Sequence, residues 1–212
     1  MAKTDNHNLP AKLDLRRYFL RRYHQQPFSV FDACQGNAKI WTKLRKEFPV
    51  SRYWGVDHIR KAGRLKIDSS RVLAQSGWTD DVIDVDTYGE PWTHWLGILK
   101  NMQSEATIFL TISKPKPMAG IASLSRLAME AIGLSIKKVP PTLTANLSGL
   151  AADFLLSKAL DKFNIIEAME AQNPGGNVRY IGIRLSRKAV QPPRENNKRR
   201  VSRRQPGAAT RE

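Results

Sequence analysis

Seven short apolar runs recur along this chain, and the last two are separated only by EAQNPGG, a connection too short to hold a crossover helix. Gly, Pro and Asn between two apolar runs make a hairpin, so FNIIEAM (163–169) and NVRYIGIRL (177–185) are expected to pair antiparallel. The five earlier runs behave differently. SVFDA (29–33), RYWGVD (52–57), RLKID (64–68), residues 82–86 and ATIFLTI (106–112) alternate with helical stretches, the pattern of a parallel sheet. Helices are expected over 37–48, in the Trp-rich segment after Asp86, over 120–132 and over 149–162. A basic helix over 13–26, apolar at Leu13, Tyr18, Phe19 and Leu20, precedes the first strand. The predicted fold is α/β: a mostly parallel seven-stranded sheet ending in one antiparallel hairpin, with helices on both faces.

A chain of 212 residues holds one such core and not two. Residues 1–11 read as a flexible leader, 12–186 as the folded domain and 187–212 as a basic disordered tail. The tail has few apolar residues, three prolines and dense positive charge, too little to bury for a core of its own. Its +7 is part of a formal +16, so the body is basic too. That excess points to a polyanionic partner, nucleic acid before membrane. No apolar stretch is long enough to span a bilayer, and the polar N-terminus lacks the core of a signal peptide. Cys34 is the lone cysteine, which rules out an internal disulfide and a cysteine-built zinc site. A cytoplasmic location is the expectation, with no metal implied.

Three consecutive strands end in Asp: Asp32, Asp57 and Asp68. Carboxylates there cost desolvation unless they face a ligand or water. In open α/β sheets that edge is where ligands lie, and the first strand–turn–helix, VFDACQGNAKIW, is the usual anchor. Gly36 permits close backbone approach. The full GxGxxG fingerprint is missing, which argues against a dinucleotide. The segment resembles the first motif of class I, Rossmann-like methyltransferases dependent on S-adenosylmethionine (SAM), D-x-x-x-G-x-G, with Ala38 in place of the last glycine. Five β/α units and a closing hairpin are also that family's chain plan. The resemblance implies SAM as cofactor. It places Asp32, Cys34, Gly36 and Asn37 around the first turn, Asp57 and His58 at the ribose, and Asp68 and Ser69 at the adenine.

The most distinctive segment is DVIDVDTYGEPW (81–92) at the end of the fourth strand. It resembles the D-P-P-Y motif of nucleic-acid amino-methyltransferases, and more closely the D-L-D-P-F-G-S-P motif of tRNA guanine-N2 methyltransferases. Thr87 stands for the proline and Glu90 for the serine. By this resemblance Asp86 is the catalytic acid and Tyr88 the aromatic that stacks on the target base. Methylating an exocyclic amine requires its lone pair to be aimed at the sulfonium methyl, and a carboxylate accepting an N–H bond does that. Asp84, in mid-strand, reads as a supporting group. Trp92 and Trp95 read as packing residues, with His94 between them, and Cys34 is not placed for cytosine C5 chemistry.

Arg16, Arg17, Arg21 and Arg22 on the first helix, with Lys114, Lys116, Lys137 and Lys138 after the fifth strand, are candidate phosphate contacts. The expected activity is SAM-dependent methylation of a base nitrogen in DNA or RNA. A degenerate methyltransferase fold that only binds nucleic acid stays open, as does methylation of a small molecule or protein. Oligomeric state is not readable.

Overall fold

The computed structural model describes residues 8–59, 65–113, 125–134, 147–172 and 178–189. Helix α1 (Leu9–Tyr23) leads into strand β1 (Phe28–Asp32), helix α2 (Lys39–Leu44), β2 (Val50–Asp57), β3 (Leu65–Lys66) and α3 (Ser69–Leu73). Then come β4 (Val82–Val85), α4 (Trp92–Asn101), β5 (Ala106–Ser113), α5 (Arg126–Ala131) and α6 (Leu147–Ser157). A 3-10 turn (Lys158–Asp161) precedes the hairpin strands β6 (Phe163–Gln172) and β7 (Val178–Arg187). Arg64, Lys114, Lys116, Lys137, Lys138, the end of the EAQNPGG connection, most of the predicted leader and nearly all of the tail lie outside the described residues.

The strand order is β3-β2-β1-β4-β5-β7-β6. All pairs are parallel except β7, which runs antiparallel to both β5 and β6. This is the Rossmann-like sheet with a terminal antiparallel hairpin that the sequence pattern predicts. The chain reverses its direction of winding between β1 and β4, and the carboxyl ends of those two strands open a crevice.

Side chains alternate across the sheet, so each strand feeds both faces. Val30, Val82, Phe109 and Tyr180 pack under α1 and α2 with Leu13, Phe19, Leu20, Ile40, Trp41 and Leu44. Phe31, Ile83, Val85, Ile108, Leu110 and Ile183 pack on the other face with Trp95, Ile98, Ala151 and Leu155 from α4 and α6. With both faces covered, the central strands are near-continuous apolar runs. The α1 face is unusually close. A Cβ at Gly182 of β7 would stand 2.5 Å from the Phe19 ring, so only glycine lets the helix lie this near the sheet.

Several boundaries differ from the sequence expectation. Helix α1 begins four residues early because Pro10 is at home in a first helical turn. Helix α2 is half the predicted length. Residues before Lys39 are used in a left-handed turn, and Pro49 disfavours helix at Phe48. Strand β3 is only two residues long, and Asp68 beyond it caps α3. Strand β7 runs through Arg187, two residues past its predicted end.

Candidate functional site

The register pairs Asp32 of β1 with Asp84 of β4, so the two carboxylates leave the sheet side by side on the α1 face. Asp86 follows two residues later, one step nearer the rim. Three acids on one face demand counter-charges, and α1 supplies them. Lys12 and Arg16 are one helical turn apart and both point down at the sheet. Arg16 donates from Nε to Asp84 Oδ2 at 2.8 Å and from Nη2 to Oδ1 at 2.5 Å, while Trp41 Nε1 donates to Oδ2 at 2.7 Å. Arg16 and Asp84 are each 1% exposed. The Arg16 guanidinium also lies over the Phe109 ring.

Lys12 Nζ donates to both oxygens of Asp86, at 2.6 and 2.7 Å, and Thr111 Oγ1 donates to Oδ1 at 2.6 Å. Burial works against the charge on Asp86, but Lys12, Arg16 and the Thr111 hydroxyl hold its carboxyl below the usual range. Asp32 has the opposite balance. Burial and the neighbouring Asp84 push it well above the usual carboxylate range, and the hydrogen bond from Tyr53 Oη at 2.9 Å only partly offsets them. Three acids face two cations, and Asp32, without a cation of its own, is the one pushed toward its protonated form.

A cleft opens above this cluster, lined by Lys12, Asp32, Cys34, Gly36, Asn37, Ala38, Lys39, Asp86, Thr87, Tyr88 and Thr111 among others. The first turn and the β4 motif therefore share one cavity. Tyr88 stands at the rim, 69% exposed, and Gly89 turns the chain beyond it with φ of 98°. Asp57 closes the first turn from the β2 side. Its Oδ2 accepts from Gly36 N–H and its Oδ1 from Ile59 N–H, both at 2.9 Å. His58 is exposed, with Nδ1 3.4 Å from Asp57 Oδ1. Asp68 caps α3 by accepting from Ser70 N–H at 2.9 Å. Ser69 Oγ is buried, 2.7 Å from His94 Nε2 and 4.0 Å from Cys34 Sγ, which links the first turn to the start of α3. Burial pushes the Cys34 thiol far up, so it carries no thiolate at neutral pH.

The backbone of the first turn is informative. Gly36 has φ of 51° and Ala38 has φ of 52°, the sole non-glycine residue at positive φ among the described residues. Ala38 thus occupies a left-handed conformation that glycine takes without strain. Ala38→Gly is expected to raise stability by about 0.5–1 kcal/mol, strain relief exceeding the added freedom of the unfolded chain. Urea unfolding of the two proteins checks this, and a lower midpoint for the glycine variant would refute it.

The helix α1 arginines divide. Arg16 is a correction to the sequence expectation: it is turned into the core and bound to Asp84, leaving nothing for a phosphate. Arg17 is held by Glu47 at 2.7 and 2.8 Å, and Arg22 by Glu167 at 2.9 Å, both at the surface. Arg21 is exposed. Lys12, Trp41, Tyr53 and Thr111 were not anticipated. Lys12 and Arg16 carried a usable signal, since both fall on the stripe of α1 that also holds Leu13, Phe19 and Leu20. Trp92 and Trp95 are buried, as their helical spacing suggests. Among the described residues no helix is long and apolar enough to cross a membrane, and no group of three or more His, Cys, Asp and Glu is arranged to hold a metal.

No family model matches the sequence, and no curated protein does. Solved structures do match the fold. Trm1 from Pyrococcus horikoshii in complex with S-adenosyl-L-methionine superposes with a TM-score of 0.55 at 12% identity, over 84% of this chain and 54% of that one. TYW2 of M. jannaschii in complex with AdoMet gives 0.52 at 9% identity, over 84% and 77%. The plantazolicin methyltransferase BamL, in complex with a triazolic desmethylPZN analog and SAH, gives 0.52 at 8% identity, over 87% and 88%. This chain spans about half the length of the Trm1 structure. At such identities the likeness is one of fold.

Proposed function

We propose that this chain is a SAM-dependent methyltransferase whose acceptor is an exocyclic base nitrogen of DNA or RNA. One observation carries the reading: Asp86, held as an anion at the end of β4, opens into the same cleft as the left-handed turn Gly36-Asn37-Ala38, with Tyr88 at the rim. The fold neighbours crystallised with SAM or SAH support the cofactor, and their different names leave the acceptor open.

The residues present fit that cofactor. The turn at 36–38 keeps glycine-like geometry despite Ala38, and Asp57 braces it. Asp57 is assigned to the ribose hydroxyls with His58 beside it, Asp68 and Ser69 to the adenine, and the exposed Ile59 and Ile67 offer apolar surface for a ring. Asp32, Cys34 and Asn37 complete the wall toward Asp86. When bound, SAM supplies an electrophilic methyl group. The protein's part is positional. Asp86 accepts an N–H bond from the amine and so aims its lone pair, and Tyr88 stacks on a base taken from a single strand or flipped from a duplex.

A nucleic-acid acceptor is supported by charge. The chain carries +16; Lys39 is exposed at the cleft wall, Lys43 and Lys46 are exposed on and beyond α2, and Lys43, Arg17 and Arg21 gather around Glu47. Arg22 adds to the exposed basic residues of α1. Lys114, Lys116, Lys137, Lys138 and the tail are assigned to the same phosphate-binding role.

The test is transfer of labelled methyl from SAM to pooled DNA and pooled RNA in separate low-salt reactions, with calorimetry for SAM binding. Label is expected in one pool, and Asp86→Ala should lower the rate at least about 100-fold with SAM affinity kept. Binding of SAM with label in neither pool would remove the nucleic-acid acceptor, and no SAM binding would leave a nucleic-acid-binding module.

A further inference from the structure

The proposed methyl transfer uses Asp86 alone and leaves the Lys12–Asp86 pair without a role. Two anchors tie α1 to the strand ends, and they differ in setting. The Arg16–Asp84 pair is sealed, with both side chains 2% exposed. The Lys12–Asp86 pair lies at the cleft wall, where Asp86 keeps 22% of its side chain open and Lys12 only 6%. The ammonium grips both carboxylate oxygens and sits 5.1 Å above the Tyr180 ring of β7. A lysine that bridges both oxygens fixes the rotation of the carboxylate. It also fills lone pairs that a proton would otherwise take.

We infer that Lys12 is a positioning residue for methyl transfer: it holds Asp86 in one orientation and in its charged form, so that Asp86 aims the acceptor amine and does not serve as the base. This rests on the methyltransferase reading. In the step, the nitrogen lone pair forms the N–C bond and the C–S bond breaks with its electron pair on sulfur. The surplus proton on nitrogen passes to water. A free carboxylate at this place could accept that proton; one already bridged by an ammonium is a poor acceptor.

The groups facing Asp86 come from every element around it. Helix α1 contributes Lys12 and Arg16, β4 contributes Asp84, and β1 contributes Asp32 with Cys34 just beyond it. Thr111 of β5 and Tyr180 of β7 border the same cavity, with Lys39 of α2 and Tyr88 at its mouth. Among the described residues Lys12 is the one cation bonded directly to Asp86.

The test reads Asp86 itself. Protein labelled with 13C-aspartate is titrated by NMR, free of ligand, as wild type and as Lys12→Gln, Lys12→Arg and Thr111→Val. In wild type the Asp86 midpoint should lie below the ordinary ~3.9. Lys12→Gln should raise it by about 1–3 pH units, Thr111→Val by less, and Lys12→Arg should restore it. If Lys12→Gln does not fold, the wild-type midpoint still decides, because a value at or above ~3.9 overturns the inference. Where transfer is measurable, wild type should be flat from about pH 5 to 8. Lys12→Gln should gain an acid limb at its raised midpoint, in kcat and not in KM. An unmoved Asp86 midpoint in a Lys12→Gln protein that still transfers methyl refutes the role of Lys12 and leaves the activity standing. A raised midpoint in Lys12→Gln, with a wild type that transfers nothing, refutes the activity and leaves the hold of Lys12 on Asp86.

Discussion

Asp84→Ala is expected to destabilise the fold by about 3–5 kcal/mol, a large fraction of the roughly 5–15 kcal/mol that holds a domain together. The reason is what remains. Arg16 would sit in the core 1% exposed with its principal partner gone, and Trp41 Nε1–H would lose its acceptor. An uncompensated buried cation is far costlier than the absence of the pair. The double variant Arg16→Met/Asp84→Ala, which removes both buried charges, should recover a good part of the loss. Urea unfolding of wild type, the two single variants and the double forms the cycle. An Asp84→Ala protein within about 1 kcal/mol of wild type would mean the pair is solvated and the description of this core is wrong.

The second large effect follows pH. His24, just past the C-terminus of α1, has Nε2 2.8 Å from Thr107 Oγ1 and its ring against Phe28. Burial, with the Arg184 guanidinium adding to it, lowers its pKa to about 4. Unfolded, the same imidazole titrates near ~6.5. As pH falls below ~6.5 the unfolded chain takes up a proton that the folded chain refuses, so stability drains away until the folded imidazole itself protonates near pH 4. The stability present above ~6.5 should thus fall by about 3 kcal/mol across that window on account of this group. Measuring unfolding free energy for wild type and His24→Gln from pH 7.5 to 4 isolates the term, since other titrations cancel in the difference. Parallel curves would sink it.

The fold was legible because its governing signals are local. Strand ends carry Asp, the last connection is too short for a helix, and apolar periodicity marks each element. Asp86 and Tyr88 could be singled out for the same reason, as one contiguous motif. What escaped the sequence was the pairing of distant residues. A basic helix reads as a solvated face because lysines and arginines are seldom buried. Arg16 and Lys12 are buried only because two acids, 68 and 74 positions later, wait beneath them. The stripe on which they lie was visible, but its partners were not. Asp68 shows the converse: its place at a strand end suggested a ligand contact, and its neighbour Ser70 gives it a local partner as a helix cap.

The way α1 is fastened also sets an order of assembly. Helix α1 precedes every described strand in chain order, yet it docks on β4, on Glu167 of β6 and on the Gly182 groove of β7, the last described strand. A nascent chain that has not yet made its closing hairpin therefore owns Lys12 but has no finished seat for it. The wall of the cleft nearest the reacting group is completed only once β7, late in chain order, has joined the sheet.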